Sequence, residues 1–254
     1  LVAIIFASYE HVSALDARGL YLGKRDAIVV VFNEKNSEPG DIKKEDQKNK
    51  PQSPPSVKDL VPGAALPAVY NYSIQAANGQ VALYSTGTGF IIREDGLIVT
   101  NYHVVRNSKK ITVELFGGEI YTAEIIGFDA RPGNDIALLK IKPKKPLPAL
   151  RLKTANDIFV GQKLLMIGHP YLYKYTASEA SVSKLAYERS LEFVQIHSSV
   201  LPGNSGSPLL AEDGEVVGVV YARMLNAETQ GFAIPSARAE AIINEILRSS
   251  QSRP

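Results

Sequence analysis

The chain lacks several residue types whose presence would define a class of protein. Its 254 residues include no cysteine, no tryptophan and only four histidines. Without cysteine it can form no disulfide, thiolate nucleophile or zinc–thiolate site, so its fold must be held by packing alone. The histidines show no metal-ligand spacing, and no phosphate-binding glycine loop is present. The sequence therefore predicts neither a metal nor another cofactor.

An excess of charge and a long apolar run are missing as well. The 28 basic and 26 acidic residues leave a formal charge of +2, which gives no reason to expect a nucleic-acid partner. Leu1 to Phe6 are all apolar, but a membrane helix needs about 20 such residues. Two interpretations of this start stay open: the tail of a longer signal or membrane anchor, or an ordinary first strand or helix.

Composition divides the chain near residue 57. Residues 28–32 form a β-like run, Ile-Val-Val-Val-Phe, whereas residues 33–57 carry charges of both signs, several prolines and few apolar side chains. Such a stretch cannot bury enough surface to offset its ordering entropy. We predict an N-terminal segment and a charged, proline-containing linker over 1–57, followed by a folded domain over 58–254.

Short β-like runs separated by turn signals fill this domain. Asp95-Gly96 and Gly117-Gly118 lie between successive runs, as hairpins require. We predict an all-β fold of two packed six-stranded β-barrels, because closure of a sheet removes its exposed edges. The N-barrel is expected over about 66–145 and the C-barrel over about 155–235. Apolar residues at helical spacing predict a C-terminal helix over about 236–248.

One serine has an unusual setting, because residues 202–208 read Pro-Gly-Asn-Ser-Gly-Ser-Pro. A serine hydroxyl is a poor nucleophile until a base and oxyanion donors surround it, and glycines let the backbone supply those donors. Alone, the pattern equally fits a tight turn between strands. Upstream, His103 follows one apolar run and Asp135 opens another, so the chain order is His, Asp, Ser. That is the order of chymotrypsin rather than of subtilisin or the α/β-hydrolases.

Five segments in order resemble the successive blocks of the HtrA/Deg serine proteases. The resemblance covers roughly residues 66–248, and it departs from the family pattern in two respects. The chain ends where the first PDZ domain of these enzymes would begin, so PDZ-gated activation is not expected, and Ser207 stands where glycine is more frequent. The segments that carry the resemblance are 86–92, 98–105, 134–141, 202–208 and 231–235.

The resemblance implies a chymotrypsin-like fold and a serine endopeptidase that hydrolyses unfolded or exposed protein segments. Ser205 would attack the peptide carbonyl and form an acyl-enzyme, His103 would carry the proton, and Asp135 would hold the imidazole. The backbone N–H groups of Gly203 and Ser205 would form the oxyanion hole. Asn204 replaces the aspartate of trypsin-like zymogens, so activation by a newly cut N-terminal amine is not expected.

Two further expectations concern loops and the remaining histidines. Ordering of the loop around Gly203 would control activity, with residues 171–176 and 186–191 as candidate mobile loops. His169 and His197 are interpreted as structural or surface residues, because neither lies in a block that the resemblance covers.

Specificity is predicted from residues that would flank the pocket. Ser199 stands six residues before Ser205, where trypsin-like enzymes have the aspartate that binds lysine or arginine. We therefore expect small or medium apolar residues before the scissile bond. The strand 221–223 would pair with substrate backbone, although its arginine fits an exposed rim position equally well. The predicted substrate-binding residues are Ser199, Val200, Leu201, Tyr221, Ala222 and Arg223.

Assembly, location and the physiological role are expectations from the resemblance. The family's protease domains form trimers through aromatic residues near the domain start, where this chain has Tyr70 and Tyr72; ordinary packing of these tyrosines is the alternative. An extracytoplasmic location, periplasmic or secreted and with a possible membrane tether, and a role in protein quality control follow in the same way. Two other functions stay open: a peptide-binding or chaperone-like module with weak proteolysis, and a dedicated processing protease anchored by its N-terminal segment.

Overall fold

The computed structural model describes residues 15–35, 65–67, 70–75, 81–154, 158–188, 191–224 and 229–251. Strands predominate, which confirms the predicted all-β class. They are β1 (Ile28–Lys35), β2 (Ala65–Pro67), β3 (Tyr70–Gln75), β4 (Val81–Arg93), β5 (Leu97–Thr100), β6 (Ser108–Leu115), β7 (Ile120–Asp129), β8 (Ile136–Lys140), β9 (Lys163–Gly168), β10 (Thr176–Glu188), β11 (Leu191–His197), β12 (Pro208–Leu210), β13 (Val216–Met224) and β14 (Gln230–Pro235). The helices are α1 (Ala17–Lys24), α2 (Tyr102–Val105) and α3 (Ser236–Gln251), with 3-10 turns at Arg25–Ala27 and Pro170–Leu172.

Six antiparallel strands form the N-terminal barrel in the order β1-β6-β7-β8-β5-β4, and pairing of β1 with β4 closes the ring. β3 pairs with β4 outside this ring. β4 runs without a break over Val81–Arg93. The predicted hairpin turns are confirmed, and Gly96 and Gly118 hold their left-handed positions at φ +88° and +82°.

The N-terminal barrel corrects the predicted division at residue 57. Residues 28–35 are β1, which lies between β4 and β6 with Val29 and Val31 fully buried. The strand was predicted, but it belongs to the barrel and not to a separate N-terminal segment. The change in composition after residue 33 marks the end of a strand and not of a domain. A long insertion costs little extra loop-closure entropy, so β1 can pair with strands far along the chain.

The C-terminal barrel closes in the order β12-β9-β10-β11-β14-β13, with β12 paired to β13. All six strands fall within the predicted interval of about 155–235. β2 lies at the start of the interval predicted for the N-barrel. It nevertheless pairs with the far end of β13, because strand pairing depends on which edge is free and not on position in the sequence.

Three apolar clusters hold the structure together, one inside each barrel and one between them. The cluster between the barrels includes Phe90 and Val99 from the first barrel and Ile167 and Ile234 from the second. The predicted C-terminal helix is confirmed as α3, and its isoleucines pack into this same cluster. The guanidinium of Arg238 donates to backbone carbonyls of both barrels, at Glu192 and Gly133. The barrels therefore meet in a packed seam.

Several predictions fall on residues outside the described part of the chain. They concern the apolar start, most of the linker and the side chains of Tyr70 and Tyr72. Among the residues that the structure does describe, no helix has the length and hydropathy to cross a membrane.

Candidate active site

His103 and Asp135 form a tightly bonded pair at one end of the N-terminal barrel. His103 lies on α2, just after β5, and Asp135 immediately precedes β8, the strand paired with β5. The imidazole Nδ1 lies 2.5 Å from Asp135 Oδ2, and the His103 backbone N–H donates to Oδ1 at 2.9 Å. Because a carboxylate only accepts hydrogen bonds, the Nδ1 proton points to Asp135 and Nε2 is left as the acceptor. This is the arrangement of a general base.

The backbone around Asp135 is fixed as firmly as its side chain. Asp135 has φ +37°, an unusual value for a residue other than glycine. Its carbonyl accepts from the Asn101 side-chain amide at 2.9 Å and from the Tyr102 N–H at 3.3 Å. The start of α2 is therefore clamped to the loop that presents the carboxylate.

Ser205 lies across the seam, in a turn of the second barrel. The Asn204 N–H donates to the Leu201 carbonyl at 3.0 Å, which closes a turn around Pro202 and Gly203. Gly203 has φ +106°, and a Cβ atom there would lie 2.2 Å from the carbonyl oxygen of His169. Only glycine fits this position.

The turn directs its carbonyls away from the site. Pro202 O accepts from the Tyr171 N–H at 2.7 Å, and Asn204 O accepts from the Ser207 N–H at 3.0 Å. In a trans peptide the N–H points opposite to the C=O, so the Gly203 and Ser205 N–H groups face away from those partners. Neither amide donates a hydrogen bond to another described residue. The turn thus offers two backbone donors beside the serine, as oxyanion stabilisation requires.

The Ser205 hydroxyl makes no hydrogen bond to His103 in this structure. It donates to the backbone carbonyl of Tyr221 at 3.3 Å. His103 Nε2 is buried and has no hydrogen-bond partner among the described residues. The two groups are therefore not hydrogen-bonded to each other here, and catalytic hydrogen bonds are often incomplete in ligand-free structures.

The residues predicted to bind substrate have different environments. Ser199 is exposed, Leu201 is half-buried, and Val200 is buried in the cluster inside the second barrel. The backbone carbonyl of Tyr221 lies next to Ser205 and accepts a hydrogen bond from the Ser205 hydroxyl. The side chains of Ala222 and Arg223 lie outside the described residues, but their backbone pairs with β14 on one edge and with β2 on the other.

Two residues border the turn that holds Ser205: Thr88, which the sequence analysis did not single out, and His169, which it interpreted as structural or surface. Thr88 on β4 donates its hydroxyl to Gly203 O at 2.8 Å, and its N–H donates to Ser205 O at 2.8 Å. His169 is fully buried beside the same turn, and its Nδ1 accepts from the Tyr175 N–H at 2.9 Å. Burial lowers the pKa of His169 to about 3, so the ring is neutral. Thr88 lies in the segment 86–92, but only the fold shows its partners.

The described residues contain no cluster of histidine and carboxylate side chains able to hold a metal ion. His197, the other histidine interpreted as structural or surface, is exposed. The grouping of a serine, an imidazole bonded to a carboxylate and two backbone amides is suited to nucleophilic attack by the serine.

Comparison with known proteins agrees with this chemistry. The family model of a trypsin-like peptidase domain matches residues 87–219. A probable periplasmic serine endoprotease, DegP-like, from Chlamydia muridarum is 39% identical over 173 residues, which are 65% of this chain and 34% of that protein. The mitochondrial serine protease HTRA2 of Bos taurus is 34% identical over 209 residues, 76% of this chain and 44% of that one.

Solved structures show the same architecture. The crystal structure of a serine endoprotease from Yersinia pestis aligns with a TM-score of 0.66 and 25% identity, covering 93% of this chain and 68% of that one. An HtrA-type protease, an AlgW variant with a tripeptide, aligns with a TM-score of 0.68 and 22% identity, covering 91% and 63%. The chain spans less than half the length of the two sequence relatives.

Proposed function

The chain belongs to the HtrA family of trypsin-like serine endopeptidases, and we propose that His103, Asp135 and Ser205 are its catalytic triad. The observation that carries this assignment is the His103–Asp135 pair, in which Nδ1 is bonded at 2.5 Å and the buried Nε2 is left without a partner. The Nδ1–carboxylate bond distinguishes His103 from the buried His169, whose Nε2 also has no partner among the described residues but whose Nδ1 accepts from a backbone N–H.

The reaction begins with the Ser205 hydroxyl turning from the Tyr221 carbonyl to His103 Nε2. The oxygen attacks the peptide carbonyl carbon while Nε2 takes its proton, and Asp135 stabilises the imidazolium. The negative charge that develops on the substrate oxygen is accepted by the N–H groups of Gly203 and Ser205. Each good donor of this kind contributes about a hundredfold to a thousandfold in rate.

The tetrahedral intermediate collapses as the C–N bond breaks and His103 returns the proton to the leaving amine. The acyl group is then an ester on Ser205. Water attacks this ester while Nε2 accepts the water proton, and the proton returns to Ser205 as the acid product leaves. No step requires a group beyond the three side chains and the two amides.

Substrate is proposed to bind as an extended strand along β13 beyond Tyr221. A strand adds to a sheet edge through main-chain hydrogen bonds, so this mode suits unfolded or exposed segments and polypeptides of varied sequence. Ser199 offers no charge to a basic side chain, and small or medium apolar residues are expected before the scissile bond. A cleavage profile dominated by Lys, Arg or Glu at that position would contradict this.

Location, assembly and role are proposed from the relatives. The DegP-like relatives are named periplasmic, which favours an extracytoplasmic site and a part in protein quality control. A homotrimer through the β3 region and a membrane tether through the N-terminal residues are proposed on the family resemblance alone. Sedimentation of the chain as a monomer would contradict the proposed homotrimer.

One observation favours a second candidate function. The Ser205 hydroxyl is bonded to a carbonyl and not to the base, so a peptide-binding or chaperone-like module with conditional proteolysis also fits the structure. In that case a casein substrate would bind without being cleaved under any condition tested. A dedicated processing protease would cleave one protein and ignore casein.

The test compares wild type with Ser205→Ala on casein and with a fluorophosphonate probe that labels activated serines. The variant should lose both labelling and cleavage, with a fall in kcat on the order of 10⁴ to 10⁶. Ser236→Ala is the matched control, since Ser236 is a buried serine at the start of α3 and its loss should leave labelling intact. Equal cleavage by wild type and Ser205→Ala would reject the triad.

A further inference from the structure

Thr88 connects the first barrel to the nucleophile turn of the second. The side chain is fully buried on β4. Its hydroxyl donates to Gly203 O at 2.8 Å and accepts from the His169 N–H at 3.2 Å, while its own N–H donates to Ser205 O at 2.8 Å. Its carbonyl in turn accepts from the Thr100 hydroxyl at 2.7 Å. One residue therefore holds two carbonyls of the turn from across the seam.

We propose that Thr88 is a positioning residue that orients the oxyanion turn. This inference rests on the proposed function of Ser205. Gly203 has little intrinsic preference for one backbone conformation, so the direction of its N–H is set by the hydrogen bonds around it. Tyr171 holds the peptide before Gly203, and the Thr88 hydroxyl holds the peptide after it.

Loss of the Thr88 hydroxyl would leave the Gly203 carbonyl buried without this donor. A buried carbonyl without a partner is costly, and the peptide can rotate to find another one. Rotation about the φ and ψ bonds of Gly203 would misdirect the Gly203 N–H. This donor is needed only when negative charge develops on the substrate oxygen. The loss should therefore appear in the transition state and not in substrate binding.

The experiment compares Thr88→Val, which keeps the shape, with Thr88→Ser, which keeps the hydroxyl. For Thr88→Val we expect kcat to fall about tenfold to a hundredfold with KM nearly unchanged, and binding of a peptide boronate to weaken by a similar factor. Thr88→Ser should recover most of this loss. Ser85→Ala is the control, because it removes a buried hydroxyl from the same strand that bonds Val104 O instead.

Equal kcat values for Thr88→Val and Ser85→Ala, measured below their unfolding temperatures, would overturn the proposal, as would failure of Thr88→Ser to recover activity. If wild type itself cleaves nothing, the proposed function has failed and boronate binding alone decides the role of Thr88. Equal boronate affinities for wild type and Thr88→Val would then reject it.

A separate observation concerns β2 and the edge of β13. Along this edge, β12 pairs with the start of β13, Val220 bonds Ser207, and Tyr221 O accepts from the Ser205 hydroxyl. The next three residues, Ala222 to Met224, pair antiparallel with β2, and Ala222 lies opposite Pro67. β14 occupies the opposite edge. The chain's own strand therefore lies directly beyond the nucleophile.

We also infer that β2 competes with substrate for this edge. This inference again rests on the proposed function, because the edge is the one assigned above to substrate backbone. One edge can pair with only one strand at a time, so an extended substrate must displace β2. Displacement is feasible because β2 has only three residues and Pro67 has no N–H to donate.

The test weakens β2 with the triple variant Ala65→Gly, Leu66→Gly, Pro67→Gly, since glycine disfavours the strand conformation. We expect KM for a short extended peptide to fall about tenfold, with kcat unchanged. Leu66→Ala, which keeps the strand backbone, should behave as wild type. A synthetic peptide of residues 63–69 should inhibit the triple variant competitively.

An unchanged or raised KM would overturn the role of β2, and so would failure of the added peptide to inhibit. If wild type has no activity, hydrogen exchange at the backbone of residues 222–224 provides the readout. Faster exchange in the triple variant that slows again with the added peptide would support competition. Equal exchange in both proteins would reject it.

Discussion

The two barrels prepare their halves of the active site differently. The first barrel supplies His103 and Asp135, which are joined directly to each other from the ends of two paired strands. The second barrel supplies a turn whose carbonyls are held by Tyr171 and by Thr88 from across the seam. The proposed base is therefore assembled by neighbouring strands, whereas the proposed nucleophile depends on contacts between distant parts of the chain.

Substitutions in the two halves of the site should therefore cause two different kinds of catalytic defect. Changes to the base pair should alter proton transfer and leave the nucleophile turn intact. Changes around the turn should alter the position of the Ser205 hydroxyl and the direction of the proposed oxyanion donors, which are the N–H groups of Gly203 and Ser205. His103 Nε2 has no partner among the described residues, and the Ser205 hydroxyl donates to Tyr221 O, so a hydrogen bond between the serine and the imidazole has still to form before reaction.

The largest effect is expected from Asp135→Asn. An amide can donate to Nδ1 and so favour the wrong tautomer, in which Nε2 carries the proton and cannot act as a base. We expect kcat to fall on the order of 10⁴, measured by peptide hydrolysis with the folded state verified by circular dichroism. Asp95→Asn, at an exposed carboxylate paired with Arg93 and Lys140, should keep full activity. A loss below tenfold would show that Asp135 does not set the tautomer.

The substitution Gly203→Ala tests whether the turn before Ser205 supplies an oxyanion donor. A Cβ atom there meets the His169 carbonyl oxygen at 2.2 Å, and φ is +106°, so the peptide must move and with it the oxyanion donor. We expect kcat to fall about a hundredfold to a thousandfold. Gly117→Ala, where nothing lies within 4 Å of the added atom, is the matched control. Equal rates for the two variants would exclude the Gly203 N–H as a donor.

His169 makes the stability of the turn region depend on pH. Because burial lowers the pKa of His169 to about 3 in the folded state, only the unfolded state, with the ordinary value near 6.5, takes up a proton as the pH falls below that value. The free energy of unfolding should therefore decrease by about 2 kcal/mol between pH 7 and pH 5 from this residue alone.

Urea unfolding at the two pH values would measure this decrease, and His169→Asn should lose correspondingly less stability on acidification. His197→Asn, at an exposed histidine, should respond as wild type does. An identical pH response for His169→Asn and wild type would contradict the burial argument.

The smallest effect is expected from Asn101→Ala. The side-chain amide of Asn101 donates to Asp135 O at 2.9 Å, and this bond supports the carboxylate without touching the reacting atoms. One such bond contributes about 1 kcal/mol, so kcat should fall less than tenfold and KM should stay unchanged. Asn244→Ala, on the exposed face of α3, serves as control. A loss as large as that of Asp135→Asn would mean that Asn101 takes part in the base itself.

Sequence patterns predicted those features that depend on neighbouring residues. Alternating runs and glycine turns located most strands of both barrels, and spaced isoleucines located α3. The order of His103, Asp135 and Ser205 predicted a serine protease, the class that the relatives' names give, while the assignment of these residues as a triad stays a prediction. Hydrophobic periodicity and turn chemistry act over a few residues, so the chain alone carries that information.

The tertiary structure decided what depends on residues far apart in the chain. It placed β1 in the first barrel, laid β2 on the edge of β13, and brought Thr88 to the carbonyls of Gly203 and Ser205. It also determined that the serine hydroxyl bonds a backbone carbonyl in place of the base. Strand pairing and packing select partners by free edges and matching surfaces, which no local pattern records. The sequence thus supplied the three side chains proposed as the triad, and only the fold decided how each of them is held.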